Sequence, residues 1–183
     1  MQLSEAELLF RARQSEEQAL GEIYDTYCSR LYGYAYRLSG DEHLARDLAA
    51  DTFYRFLLAL RAGSGPRDHL AAYLYRTTYH LFIDHYRRHP RADLSLEESL
   101  IAGISNMDET VDAGENQAQA RLALMQLTPE QRQVIILKYF EGLSNEEVAV
   151  AIEKPVGAVK SLQARALASL RRILNKDNEG ILP

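Results

Sequence analysis

A chain of 183 residues, 46% of them hydrophobic, has room for one medium domain or two small ones around a buried core. Its formal net charge of −5 argues against a protein that coats nucleic acid unaided, and its single cysteine, Cys28, excludes an internal disulfide and suits a reducing cytoplasm as a small buried or half-buried thiol. No apolar run approaches the ~20 residues that span a bilayer, and Met1-Gln2-Leu3-Ser4-Glu5 lacks the order of a secretory signal, so no membrane insertion is expected.

Scarce proline and plentiful Leu, Ala, Glu and Arg favour helices throughout. Ser4-Glu5-Ala6-Glu7 has the spacing of a capping box and opens a first helix through Leu8, Leu9 and Ala12. A second runs from about Glu17 to Leu38, with Leu20, Ile23, Tyr27, Leu31 and Tyr34 at three- and four-residue spacing. Ser39-Gly40-Asp41 ends it and starts a third, whose apolar face is Leu44, Leu48, Phe53, Phe56, Leu57 and Leu60. Asp47, Asp51 and Arg55 recur at four-residue intervals on that helix and form one charged stripe.

Gly63-Ser64-Gly65-Pro66 breaks the pattern. Asp68 is placed to cap a fourth helix, with Leu70, Leu74 and Leu81 inward, a weak point at Thr77-Thr78-Tyr79, and an end at His89-Pro90. Tyr73, Tyr75, Tyr79, Phe82 and Tyr86 interleave there with Arg76, Arg87, Arg88 and Arg91. Such a helix suits single-stranded DNA, because bases stack on rings while cations follow the backbone. At least two of these aromatics are expected to be exposed. His80, Asp84, His85 and His89 share the helix, but flanking arginines would repel a cation and no further ligand completes a set, so no metal is expected. With no phosphate loop or nucleophile elbow either, neither a cofactor nor an enzymatic activity is expected.

From Ala92 to Ala118 there are seven acids and no Lys or Arg, with little apolar periodicity, which reads as a partly disordered tether. From Lys154 to Lys176 there are six bases and no acid. Such block asymmetry marks a nucleic-acid-binding end on an acidic protein. A second domain begins near Gln119. Thr128-Pro129-Glu130-Gln131 starts a helix carrying Val134, Ile135, Leu137 and Phe140, and Gly142 stops it. Ser144-Asn145-Glu146-Glu147 is another capping box, stapled by Leu143 and Val148, for a short helix reaching about Ile152. Val156 then begins a long helix through Val159, Leu162, Ala166, Leu170 and Ile173.

Short helix, tight turn and a helix rich in Lys, Ser, Gln and Arg form a helix-turn-helix pattern, in which the second helix lies along the major groove. With Val159, Leu162, Ala166 and Leu170 inward, Lys160, Ser161, Ala164 and Arg165 fall outward. A helical hairpin with a wet basic face would share this pattern.

Leu127-Thr128-Pro129-Glu130-Gln131-Arg132-Gln133-Val134, Tyr139-Phe140-Glu141-Gly142-Leu143-Ser144 and Gly157-Ala158-Val159-Lys160-Ser161 resemble the promoter-recognition domain, region 4, of extracytoplasmic-function sigma factors. Asp47-Leu48-Ala49-Ala50-Asp51-Thr52-Phe53 resembles the region 2 segment that docks on RNA polymerase. Tyr73-Leu74-Tyr75-Arg76 and Ile83-Asp84-His85-Tyr86-Arg87-Arg88 resemble the segments that melt and read the −10 element. The motifs run in order, at family spacing, along nearly the whole chain.

The resemblance implies an all-α fold of two small helical domains joined by a flexible linker: region 2 over 1–91, the acidic linker over 92–118, region 4 over 119–176 and a tail over 177–183. It implies a cytoplasmic sigma factor that catalyses nothing itself, binds core RNA polymerase at its β′ clamp helices and β flap, recognises promoter DNA, and is held by an anti-sigma factor. The polymerase would meet Asp47, Leu48, Asp51, Thr52, Phe53 and Arg55; the −10 element would meet Tyr73, Tyr75, Arg76, Tyr79, His80, Asp84, Arg87 and Arg88. The −35 element would meet Val156, Lys160, Ser161, Gln163, Ala164 and Arg165.

Four departures from the family pattern stand out. Tyr73 replaces a usual tryptophan, His80 a frequent asparagine, and Leu162-Gln163 a common Arg-Leu pair, which offers Gln163 to adenine. Glu153 sits at a turn position that often carries glycine, where a left-handed backbone would strain it by ~1 kcal/mol. A helix-turn-helix regulator acting without polymerase and a protein-binding helical adaptor are the rival readings. The aromatic-basic fourth helix favours the sigma factor. In the free protein the two domains are expected to close on each other through the acidic linker.

Overall fold

The computed structural model describes residues 4–89 and 115–179, and every regular element among them is helical. The tether expected over 92–118 lies, as far as residue 114, outside the described residues. The first lobe comprises α1 (Glu5–Arg13), α2 (Glu17–Ser39), α3 (Glu42–Arg61) and α4 (Leu70–Arg88). Its centre is α2, which buries Ile23, Tyr27, Leu31, Tyr34 and Leu38 against α3 and α4. Gly40, left-handed at φ 73°, ends α2, and the Asp41 carboxylate accepts from the Leu44 amide at 2.9 Å to begin α3.

Local readings fail where a distant residue supplies the partner. Ser4 caps α1 by accepting from the Glu7 amide, but the Glu7 carboxylate turns away to Arg11 at 2.8 Å, so the box is half formed. Asp68 does not cap α4. The cap position is His69, left-handed at φ 50°, and the Leu70 amide donates instead to the Glu5 carboxylate of α1 at 3.3 Å. Leu57, expected inward, is 38% exposed on the outer side of α3. α4 runs unbroken through Thr77 and Thr78, whose hydroxyls donate back to the Tyr73 and Leu74 carbonyls. The buried Thr78 hydroxyl also meets that of Thr52 at 2.9 Å, tying α4 to α3.

The second lobe comprises α5 (Glu115–Met125), α6 (Pro129–Ile135), a π-helical turn (Ile136–Phe140), α7 (Asn145–Ile152) and α8 (Val156–Glu179). Thr128 caps α6 and proline occupies its first turn. The π turn widens the helix so that Ile136 and Leu137 stay buried while Tyr139 and Phe140 swing out, 57% and 49% exposed. Phe140 therefore does not join the core. Gly142, at φ 73°, reverses the chain into α7, whose capping box is complete: Ser144 Oγ accepts from the Glu147 amide at 3.1 Å and Glu147 Oε2 from the Ser144 amide at 2.7 Å.

The lobes are packed together. Val134, Ile136, Leu137, Leu143, Val148 and Val159 join the core of the first lobe in one cluster, while Leu124, Leu127, Ile135 and Ala166 form a second core beneath α8. Arg132, fully buried, ties the layers. Its guanidinium donates to the carbonyls of Leu124, Met125 and Leu127 and, across the seam, to that of Leu38 at 2.5 Å. Burial pushes its pKa down to about 10, so it remains a cation at neutral pH.

Candidate polymerase and nucleic-acid interfaces

On α3, Asp47, Asp51 and Arg55 are exposed along one stripe, while Leu48, Thr52 and Phe53 are buried beneath it. These three support the stripe rather than present themselves: Thr52 Oγ donates to the Leu48 carbonyl at 2.7 Å, and the Phe53 ring packs 4.9 Å from that of Tyr24. Beside the stripe, Tyr24, Cys28, Tyr32, Arg46, Ala49 and Phe53 line an open cavity of about 480 Å³ between α2 and α3. Cys28 is half-buried there.

The face of α4 behaves differently. Leu74 and Leu81 are buried as expected, but none of the five aromatics is exposed: Tyr75 and Phe82 are buried and Tyr73, Tyr79 and Tyr86 half-buried. The expectation of two exposed rings is therefore wrong. The cause is the second lobe, since α7 packs on this helix. The Tyr75 hydroxyl donates to Glu141 Oε2 at 2.5 Å, and its pKa rises through burial and then through that bond. Burial pushes the Tyr79 hydroxyl up to about 12, helped by the nearby charge of Glu130.

Arg76 pairs with Glu153 Oε1 at 3.2 Å and His80 Nε2 lies 3.9 Å from its Oε2. Asp84 is half-buried, and Arg87 and Arg88 are exposed. The rings of His85 and His89 stack at 4.7 Å, and burial, then the neighbouring His89, lowers the pKa of His85. Among the described residues no cluster of three His, Cys, Asp or Glu side chains is placed to hold a metal.

On α8, Lys160, Ser161, Ala164 and Arg165 share an exposed face, opposite buried Val159, Leu162 and Ala166. Val156 is half-buried. Gln163 is occupied: its side-chain amide donates to the Asn145 side-chain oxygen at 3.2 Å and ties α8 to α7. Glu153 is left-handed at φ 54°, so the strained turn foreseen for this position is present.

Glu141, Arg30, Arg37 and the inward course of Arg132 escape sequence reasoning. Glu141 reads as a turn residue before Gly142, yet its side chain is only 5% exposed and lies 3.4 Å from Arg30 and 3.7 Å from Arg37. Arg132 stands between Gln131 and Gln133, so nothing beside it in sequence marks it as buried.

An exposed basic helix on one helical lobe, and an aromatic-basic helix beside a charged stripe on the other, define a two-lobed all-α protein with a helix-turn-helix. The family model for Sigma-70 region 2 matches residues 23–92 and that for Sigma-70, region 4, matches residues 117–170. The chain belongs to the extracytoplasmic-function branch of the sigma-70 superfamily. It is 32% identical over 174 residues to the ECF RNA polymerase sigma factor BldN of Streptomyces coelicolor, an alignment covering 93% of this chain and 66% of that one. It thus spans just under two thirds of that relative. It is 28% identical over 175 residues to the ECF RNA polymerase sigma factor SigW of Bacillus subtilis, covering 90% and 93% of the two chains. In fold it matches the sigma factor RpoE of Bartonella quintana, solved with the anti-sigma factor NepR, at a TM-score of 0.67 and 21% identity, covering 85% of this chain and 96% of that one.

Proposed function

We propose that this chain is an RNA polymerase sigma factor, which directs the start of transcription by carrying two DNA-reading lobes on core polymerase and performs no chemistry itself. The observation that carries the reading is the face of α8: Lys160, Ser161, Ala164 and Arg165 stand exposed together on the second helix of a fully capped helix-turn-helix. Two cations suit phosphates or guanine, a hydroxyl adapts to several base edges, and alanine admits a close approach. This face is assigned to the −35 duplex, with Val156 at its rim and Gln163 bracing it from α7.

The exposed Asp47, Asp51 and Arg55 dock on the β′ clamp helices, braced by Leu48, Thr52 and Phe53, and the second lobe meets the β flap. The −10 strand falls to α4, through Tyr73, Tyr75, Arg76, Tyr79, His80, Asp84, Arg87 and Arg88. An anti-sigma protein covering these faces, as a class NepR represents for RpoE, would silence the chain. No helix among the described residues is long and apolar enough to cross a membrane, and polymerase places the work in the cytoplasm.

The test is core polymerase with and without this protein on a promoter library, scored for new start sites. Stimulation at a defined set of promoters supports the reading. Tight operator binding by the protein alone, with no new transcripts, would show a regulator that works without polymerase.

A further inference from the structure

Three of the side chains of α4 assigned to the −10 strand, Tyr75, Arg76 and His80, are engaged by the second lobe, while Arg87 and Arg88 stay exposed. Tyr75 donates to Glu141 at 2.5 Å, while Arg76 and His80 face Glu153 at 3.2 and 3.9 Å. Both acids come from the second lobe, and each sits at a chain reversal where its backbone is held. Glu141 precedes the left-handed Gly142, and Glu153 is itself the left-handed residue between α7 and α8. Glu141 is further fixed by Arg30, whose guanidinium meets its carboxylate at 3.4 Å and its backbone carbonyl at 3.1 Å. Carboxylates so placed present to tyrosine, arginine and histidine the same anionic oxygens that a DNA phosphate would.

We infer that Glu141 and Glu153 form a two-point acidic latch that stands in for DNA phosphate on α4 and holds the lobes shut in the free protein, so that the strand-reading face is released only when they part. The inference rests on the assignment of α4 to the melted strand and adds how that face is regulated. Latch and DNA compete for the same donors, so their occupancies are linked: whatever favours the open form raises strand affinity by the same factor. The helix-turn-helix face of α8 lies outside the seam and needs no such release.

The test uses the full chain, comparing wild type with Glu141→Gln/Glu153→Gln and with Arg30→Ala, which loosens the same contact from the first lobe. Small-angle scattering reads lobe separation, and fluorescence anisotropy reads the affinity for a short single-stranded oligonucleotide. Far-ultraviolet circular dichroism confirms that the helices persist. A compact wild type, an expanded double variant and a gain of about tenfold in strand affinity are expected. The latch is overturned if the wild type is already two separated lobes, or if the double variant and Arg30→Ala both stay as compact as wild type. An expanded variant with no gain in strand affinity, yet still used by core polymerase at promoters, overturns the masking while the sigma reading stands. An expanded variant that neither binds the strand nor directs polymerase overturns that reading and the masking together.

Discussion

Two helices of this molecule carry basic side chains suited to DNA, and the fold treats them oppositely. On α8 the cations Lys160 and Arg165 face solvent, with no acid paired to either at salt-bridge distance among the described residues. On α4 Tyr75 and Arg76 are engaged by acids from the other lobe, and Arg87 and Arg88 at its far end stay open. On the assignments proposed above, the difference matches the nucleic acid each face would meet. A duplex presents its grooves ready made, so a reader of duplex can stay open. A melted strand exists only once polymerase and promoter are assembled, and a free aromatic-basic face would otherwise hold any passing single strand.

The contrast can be broken most severely at its shared anchor. Arg132→Ala removes the cation that satisfies four carbonyl oxygens on both sides of the seam, and is expected to destabilise the protein by ~3 kcal/mol or more in urea unfolding. An unchanged midpoint would mean that the two lobes do not share this residue.

Next in size is Tyr75→Phe, which keeps the ring and deletes the donor to Glu141. Weakening of closure by ~2 kcal/mol is expected, read as expansion in scattering, with duplex binding by α8 unaltered. The double change Lys160→Ala/Arg165→Ala should do the reverse. It is expected to lower affinity for −35 duplex about tenfold and to flatten its salt dependence while the lobes stay closed.

Alkali gives a graded version of the same contrast. Tyr75 and Tyr79 hold their protons above the ordinary 10.0, so the folded form binds more protons than the unfolded chain through this range. Their contribution is complete below pH 10 and is lost as pH rises through the Tyr79 value of about 12. Thermal melts across that window should fall, and Tyr75→Phe should fall less. The smallest effect is expected of Glu153→Gly. It relieves a left-handed backbone and should stabilise the isolated turn by ~1 kcal/mol, yet it removes the partner of Arg76 and should loosen the seam.

The helices of the second lobe were legible because their signals are local. Thr128-Pro129, the Ser144 box and Gly142 each act within four residues, and all three form. The outward face of α8 followed from spacing alone. On α4 the same logic placed Leu74 and Leu81 correctly but left the rings open, because periodicity registers one buried face and cannot register a second lobe arriving on another. Asp68 lost its capping role to Glu5 for a related reason: the winning acceptor comes from a helix much earlier in the chain. Glu141 shows the limit most clearly. A carboxylate beside a glycine reads as solvated, and nothing nearby in sequence announces Tyr75 or Arg30.

The most direct measurement is energy transfer between dyes on cysteines introduced at the exposed Glu17 and Ala168, in a Cys28→Ser background, before and after core polymerase is added. High transfer in the free protein that drops on binding polymerase is the predicted result. Transfer that is the same in both states, while promoter-dependent transcripts still appear, would contradict a factor whose strand-reading face opens on the enzyme.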